Sequence, residues 1–167
     1  MISKITHIIV YLFKSFLRFL GRMLKQLAGI FVFALLAAME VGDWTSLMAR
    51  YSDPEKDAAA LGITTQASST HLLVMVILSI GIVIAALATT VGLFQDGKWS
   101  IRASQVTGAL FVVYGLYQIY FGFTSAIKSK ENLILPGVVF AVIGIAVFGL
   151  GSKFVQVVKP AQRQPAR

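Results

Sequence analysis

The chain has 167 residues, of which 57% are hydrophobic and 13% are charged. Soluble domains usually carry about 25% charged residues, so this composition excludes a soluble globular protein and predicts an all-α integral membrane protein. The formal net charge is +8. There is no cysteine, and this absence excludes disulfides, thiolate metal sites and cysteine nucleophiles. Because the basic residues form no run with interleaved polar aromatics, no nucleic-acid surface is predicted.

Residues 1–26 have the pattern of a basic amphipathic helix. Lys14, Arg18, Arg22 and Lys25 recur every three or four residues and line one helical face, while apolar side chains fill the rest. A signal peptide carries a single short charged region, so this segment is predicted instead to lie at the membrane interface, with its cations toward anionic lipid head groups or water. It serves either as a topology anchor or as a docking helix for a partner complex or a curved membrane.

The first predicted span covers residues 27–45. Its apolar run is bounded by Lys25 and Asp43, and Glu40 is the one acid that interrupts it. Counted from Leu24, the segment is just long enough to cross a membrane.

The longest polar connection follows the first span and contains a predicted short helix. Asp53 has the residue type of an N-cap, Pro54 suits the first helical position, and Gly62 suits the close of the helix. A polar linker comes next, in which Ser69 or Thr70 is predicted to cap the second span.

Three further spans are predicted at residues 71–94, 103–126 and 133–157, which gives a compact bundle of four transmembrane helices. In membranes, small residues on one helical stripe allow close helix contact. The predicted packing residues are Gly81, Ala85, Ala88 and Gly92 in the second span, Gly108, Gly115, Gln118 and Gly122 in the third, and Gly137, Ala141, Gly144 and Gly151 in the fourth. The third and fourth spans are therefore predicted to form an antiparallel pair. Residues 159–167 read as a disordered basic tail.

The distribution of charge predicts the orientation. With four spans, eleven of the fifteen Lys and Arg residues lie on the side of the two termini, whereas most acids lie on the other. The positive-inside rule then places both termini in the cytoplasm, for a bacterial inner membrane, or in the stroma, for a thylakoid-type membrane.

Glu40 is the first candidate for chemistry, because an ionisable residue inside a span is a functional hypothesis by default. The surrounding LAAMEVGDW is similar to the first helix of small multidrug-resistance transporters, in which a membrane glutamate couples protons to cationic drugs. The resemblance covers fewer than ten residues, and the basic N-terminal helix and long loop depart from that family's pattern. Glu40 is interpreted either as a proton or cation site, or as an interfacial acid that is hydrated or paired with Arg50.

Two polar residues in the later spans complete the candidates. His71 is either an axial ligand to a pigment or an interfacial polar residue. A bis-histidine haem is excluded by the predicted topology, which puts His7 on the opposite side, whereas single ligation of a chlorophyll stays open. Gln118 lies between Gly115 and Gly122 and is predicted to hydrogen-bond across a helix contact or, alternatively, to contact a substrate. The tyrosines and phenylalanines of the third span are predicted to face lipid, pigment or a partner.

No nucleophile, base or metal constellation can be assembled from this sequence, so an enzyme is not predicted. The predicted function is a non-catalytic accessory, scaffold or assembly subunit of a larger membrane complex, whose partners are other membrane subunits and anionic lipids. The alternative is a small oligomeric proton- or cation-coupled transporter or channel that uses Glu40. No cofactor is predicted, although bound chlorophyll or lipid stays open.

Overall fold

The computed structural model describes residues 2–95, 97, 99–125 and 130–156, with side-chain surroundings between residues 11 and 149. The described residues form five helices and no strands: α1 (Ile2–Tyr51), α2 (Pro54–Leu61), α3 (Thr65–Phe94), α4 (Ser100–Thr124) and α5 (Glu131–Gln156). Four of them, α1, α3, α4 and α5, are long and apolar enough to cross a membrane. Helix α3 lies between α1 and α4, while α5 packs along α4 and also touches α1.

Helix α1 is far longer than the first predicted span. It runs without a break from Ile2 to Tyr51, about 75 Å at 1.5 Å per residue, whereas the sequence suggested one helix up to residue 26 and a span over residues 27–45. No proline interrupts this stretch, and its charges lie on one face, so nothing in it stops a helix. The helix ends at Tyr51. The hydroxyl of the next residue, Ser52, donates to the Met48 carbonyl at 2.9 Å, and Pro54 follows two residues later.

The short helix α2 forms as its end residues predict. The Asp53 side chain accepts a hydrogen bond from the Lys56 amide at 3.2 Å, and Pro54 occupies the first position. Gly62 ends the helix with φ of 73°, a left-handed conformation that favours glycine.

Helix α3 begins earlier than predicted. Thr64 is its N-cap, with the hydroxyl accepting from the Ala67 amide at 3.3 Å, so the residues read as a polar linker are instead the first turns of the helix. Ser69 and Thr70, which were expected to cap it, donate to the carbonyls of the preceding turn at 2.9 Å. Hydroxyls satisfied in this way do not break a helix.

Helices α4 and α5 are antiparallel and approach until their backbones touch. Gly108 faces Gly144, and Gly115 faces Gly137. A β-carbon on Gly108 would lie 2.8 Å from the Gly144 carbonyl oxygen, and one on Gly115 would lie 2.5 Å from the amide nitrogen of Ala141. Only glycine allows this spacing, because it has no side chain to hold the backbones apart.

Two of the predicted packing residues of α3 contact α4. Gly92 packs against Ser100 across the turn to α4, and Gly81 lies 3.5 Å from a Leu110 methyl group, measured from an added β-carbon. Ala85 is buried and Ala88 half-buried. Gly122, another predicted packing residue, lies against Ile134 of α5. The surroundings of Gly151 and the predicted tail at residues 159–167 lie outside the described residues.

Replacement of Gly115 by alanine tests the α4–α5 contact. The added methyl group must push the two backbones apart, which we expect to destabilise the bundle by about 1–3 kcal/mol. Gly42→Ala is the matched control, since nothing lies within 4 Å of its added β-carbon and alanine favours the helix by about 0.5–1 kcal/mol. Unfolding of both variants in detergent, followed by circular dichroism, should separate them. Equal stability would contradict the backbone contact.

Candidate functional site

Glu40 is enclosed at the contact between α1 and α3. Its exposed fraction is 1%, and the Ser79 hydroxyl donates to its Oε2 at 2.9 Å. Ser79 lies eight residues beyond His71, or about 12 Å along the axis of α3. The sequence pattern predicts Glu40 near the outer edge, because the polar residue Asp43 follows it by less than one turn. Since α1 continues for two more turns, the carboxyl group lies well inside the bundle.

Arg50, which was one expected partner of Glu40, binds Asp57 instead. Its Nε lies 2.7 Å from Asp57 Oδ1, and the Ser68 hydroxyl donates to Asp57 Oδ2 at 2.7 Å. One buried carboxylate on α2 therefore joins the end of α1 to the start of α3. Burial alone would raise the pKa of Asp57, but the hydrogen bonds from Arg50 and Ser68 and the charge of Arg50 hold it below its usual value of 3.8.

His71 is buried rather than interfacial. Its ring stacks on Phe121 with centroids 3.9 Å apart and on Tyr117 at 5.6 Å. The Nδ1 atom is closed off from solvent and has no hydrogen-bond partner among the described residues. An open cleft of about 480 Å³ lies beside the ring, and Tyr120 and Thr70 contribute to its lining. Phe121 and Tyr117 stack on the imidazole and the cleft lies beside it, so ligation of a single pigment stays a prediction.

Gln118 lies at the contact between α4 and α5. An added β-carbon on Gly137 would come within 3.1 Å of Gln118 Cβ. The side chain is 5% exposed, and within the described part of the chain Oε1 has no partner. A pair of hydroxyl groups joins two neighbouring helices: Thr89 of α3 lies 3.3 Å from Thr107 of α4.

The sequence analysis does not predict the buried hydroxyl residues that donate to Glu40 and Asp57 or that pair between helices. Ser68, Ser79 and Thr107 have no exposed surface. Their signal was present, because serine or threonine at inward positions of an apolar helix usually bonds within the protein. Their partners were not evident, since Glu40 and Ser79 are 39 residues apart in the chain. No group of three His, Cys, Asp or Glu residues that could hold a metal occurs in the described part of the chain.

The basic strip of α1 lies on the outside of the structure. Lys14, Arg18, Arg22 and Lys25 are exposed, and so are the aromatic and aliphatic side chains between them. The aromatic residues of the third span divide into two sets. Phe111 and Tyr114 belong to the core, while Tyr120 and Phe123 lie on the outer surface.

Substitution of Asp57 tests the join between α1, α2 and α3. Asp57→Asn removes the charge that Arg50 and Ser68 bind, so amide hydrogen exchange in α2 should accelerate by about tenfold or more, given about 1.5–3 kcal/mol for hydrogen bonds to a charged group. In the native protein this contribution is complete above the ordinary aspartate pKa and is lost as the pH falls through the lowered pKa of Asp57. Asp53→Asn is the control, because asparagine also caps helices. Unchanged exchange in Asp57→Asn would contradict the assigned role.

Comparison of the chain with protein-family models, with curated proteins and with solved structures finds no match. The candidate residues are therefore assigned from their own contacts. Those contacts define two features: two separate buried carboxyl groups, Glu40 between α1 and α3 and Asp57 on α2, and an exposed segment of α1 at residues 11–25.

Proposed function

We propose that this chain is a non-catalytic accessory or assembly subunit of a larger membrane protein complex. The observation that carries the proposal is the N-terminal half of α1. All the residues from 11 to 25 are exposed except Gly21, which is half-buried, and most of them have large apolar side chains. A surface of this size and composition is typical of a site that other molecules cover.

The interior of the bundle supports a packing role over a transport role. Helices α4 and α5 are in backbone contact at Gly108 and Gly115, which leaves no space for a solute between them. Two of the buried polar groups, Glu40 and Asp57, bind hydroxyl groups of α3. Contacts of this kind favour a rigid bundle whose outer surface is the part available to partners.

The proposed partner surfaces are the basic amphipathic part of α1, the outer face of the bundle and the aromatic outer face of α4. An even number of spans puts both termini on one side of the membrane. By the excess of Lys and Arg there, we assign that side to the cytoplasm of a bacterial inner membrane or the stroma of a thylakoid-type membrane.

A proton- or cation-coupled transporter is the second candidate, and the burial of Glu40 is the observation that favours it. A carboxyl group at this depth, with 1% exposure and a hydroxyl as its described hydrogen-bond partner, is unusual in lipid-spanning helices. Four spans alone rarely enclose a pathway, so this function would require an oligomer.

The accessory role predicts that the protein migrates in one large, stoichiometric assembly after mild solubilisation of native membranes. Because the chain has no cysteine, single cysteines carrying a benzophenone can map the contact. Phe31→Cys on α1, Tyr120→Cys on α4 and Leu135→Cys on α5, which are all exposed, should crosslink to other subunits. Recovery of only monomers or homo-oligomers, with no crosslinked partner, would overturn the proposal.

The transport role predicts proton-coupled flux in proteoliposomes that Glu40→Gln abolishes. Glutamine cannot carry a proton on and off, yet its carbonyl oxygen can still accept the Ser79 hydrogen bond, so the fold should be retained. Ser79→Ala is the companion variant, since it removes the bond and leaves the carboxyl group. An absence of flux in the native protein, or equal flux in Glu40→Gln, would exclude this function.

A further inference from the structure

The N-terminal part of α1 continues past the end of the bundle. The Gln26 side chain donates to the Leu93 carbonyl oxygen at 2.5 Å, and Leu93 is the penultimate residue of α3. Residues 11–25, which we call the arm, therefore extend about 22 Å beyond that level. The arm contains eight residues of the Leu, Phe or Met type and no acid.

The two faces of the arm are in register with the two faces of the rest of α1. The cations Lys14, Arg18, Arg22 and Lys25 are followed at the same spacing of three or four residues by Gly29, Phe33, Leu36 and Glu40, which face the bundle. On the opposite face, the exposed apolar side chains continue from the arm into the span: Phe16, Leu20, Leu24, Leu27, Phe31 and Leu35.

From this register we infer that the arm docks on the anionic leaflet surrounding the bundle, after α1 bends outward, away from its own bundle. An outward bend turns the apolar face of the arm toward the acyl chains and its cationic face toward head groups and water. No rotation of the helix about its axis is needed. Gly21 and the residues before Gln26 can take up the bend, because a helix is weakest near glycine and nothing lies within 4 Å of an added β-carbon at Gly21.

Charge complementarity selects lipid over a second copy of the chain. Two arms packed through their apolar faces would leave the cations of both without a counter-charge, because neither arm contains an acid. An anionic leaflet attracts each Lys or Arg, and most of the basic residues in the chain fall on this side of the predicted bundle. The inference names the occupant of one surface in the proposed function and therefore rests on that proposal.

Nitroxide labels on two adjacent residues test the inference: Ser15 lies beside the cationic face and Phe16 lies on the apolar face. Ser15→Cys and Phe16→Cys each carry a single label, because the chain has no cysteine. Each variant is reconstituted alone in phosphatidylcholine vesicles with and without phosphatidylglycerol, and collisions of the label with oxygen and with a water-soluble nickel chelate are measured. With phosphatidylglycerol, the Phe16→Cys label should meet oxygen and be shielded from nickel, and the Ser15→Cys label should behave in the opposite way.

Neutralising the cations should release the arm. In the Phe16→Cys background, replacing Lys14, Arg18 and Arg22 by glutamine should reduce the ratio of docked to undocked arm by about fivefold for each residue. Lys56→Gln, on the other side of the predicted bundle, should change nothing.

Three results would overturn the inference: nickel access at Phe16→Cys in anionic vesicles, shielding from both reagents, or short label-to-label distances between copies. Because the vesicles hold no partner protein, any of these would leave the accessory role standing. Loss of the native assembly alone would sink that role and leave lipid docking intact.

Discussion

The antiparallel contact between α1 and α3 decides where every candidate site lies. It extends from Gln26 against Leu93 at one end to Leu47 against Leu72 at the other. In between, small side chains such as Ala37 and Ala86 allow close approach. Because this contact uses the second half of α1, it encloses Glu40 and leaves residues 11–25 exposed.

The glycine contact between α4 and α5 acts on a different part of the molecule. It brings two backbones together at Gly115 and Gly137, so dispersion contacts between main-chain atoms replace the side-chain interlocking of soluble bundles. The stacked rings of His71 and Phe121 then fill the gap between α3 and α4 near the outer edge. These contacts and the contact between α1 and α3 join the four long helices into one packed bundle.

The two buried carboxyl groups of the bundle, Asp57 and Glu40, have different hydrogen-bond partners. Asp57, at the rim, gains a cation and a hydroxyl as partners, and its charge holds the helix ends together. Glu40, at depth, gains only a hydroxyl among the described residues. The membrane interior has no water to solvate a charge. Asp57 therefore forms a structural ion pair, whereas Glu40 is a group whose protonation is worth testing.

The sequence by itself determined the class, the four apolar helices, the ends of α2 and the residues available for close packing, because each of these depends on local composition and spacing. Only the tertiary structure decided the partners: Ser79 for Glu40, Asp57 for Arg50 and Phe121 for His71. It also decided that α1 is one helix and that α3 begins at Thr65. Partners far apart in the chain depend on the register between helices, and register is set by packing across the whole contact, which no local pattern encodes.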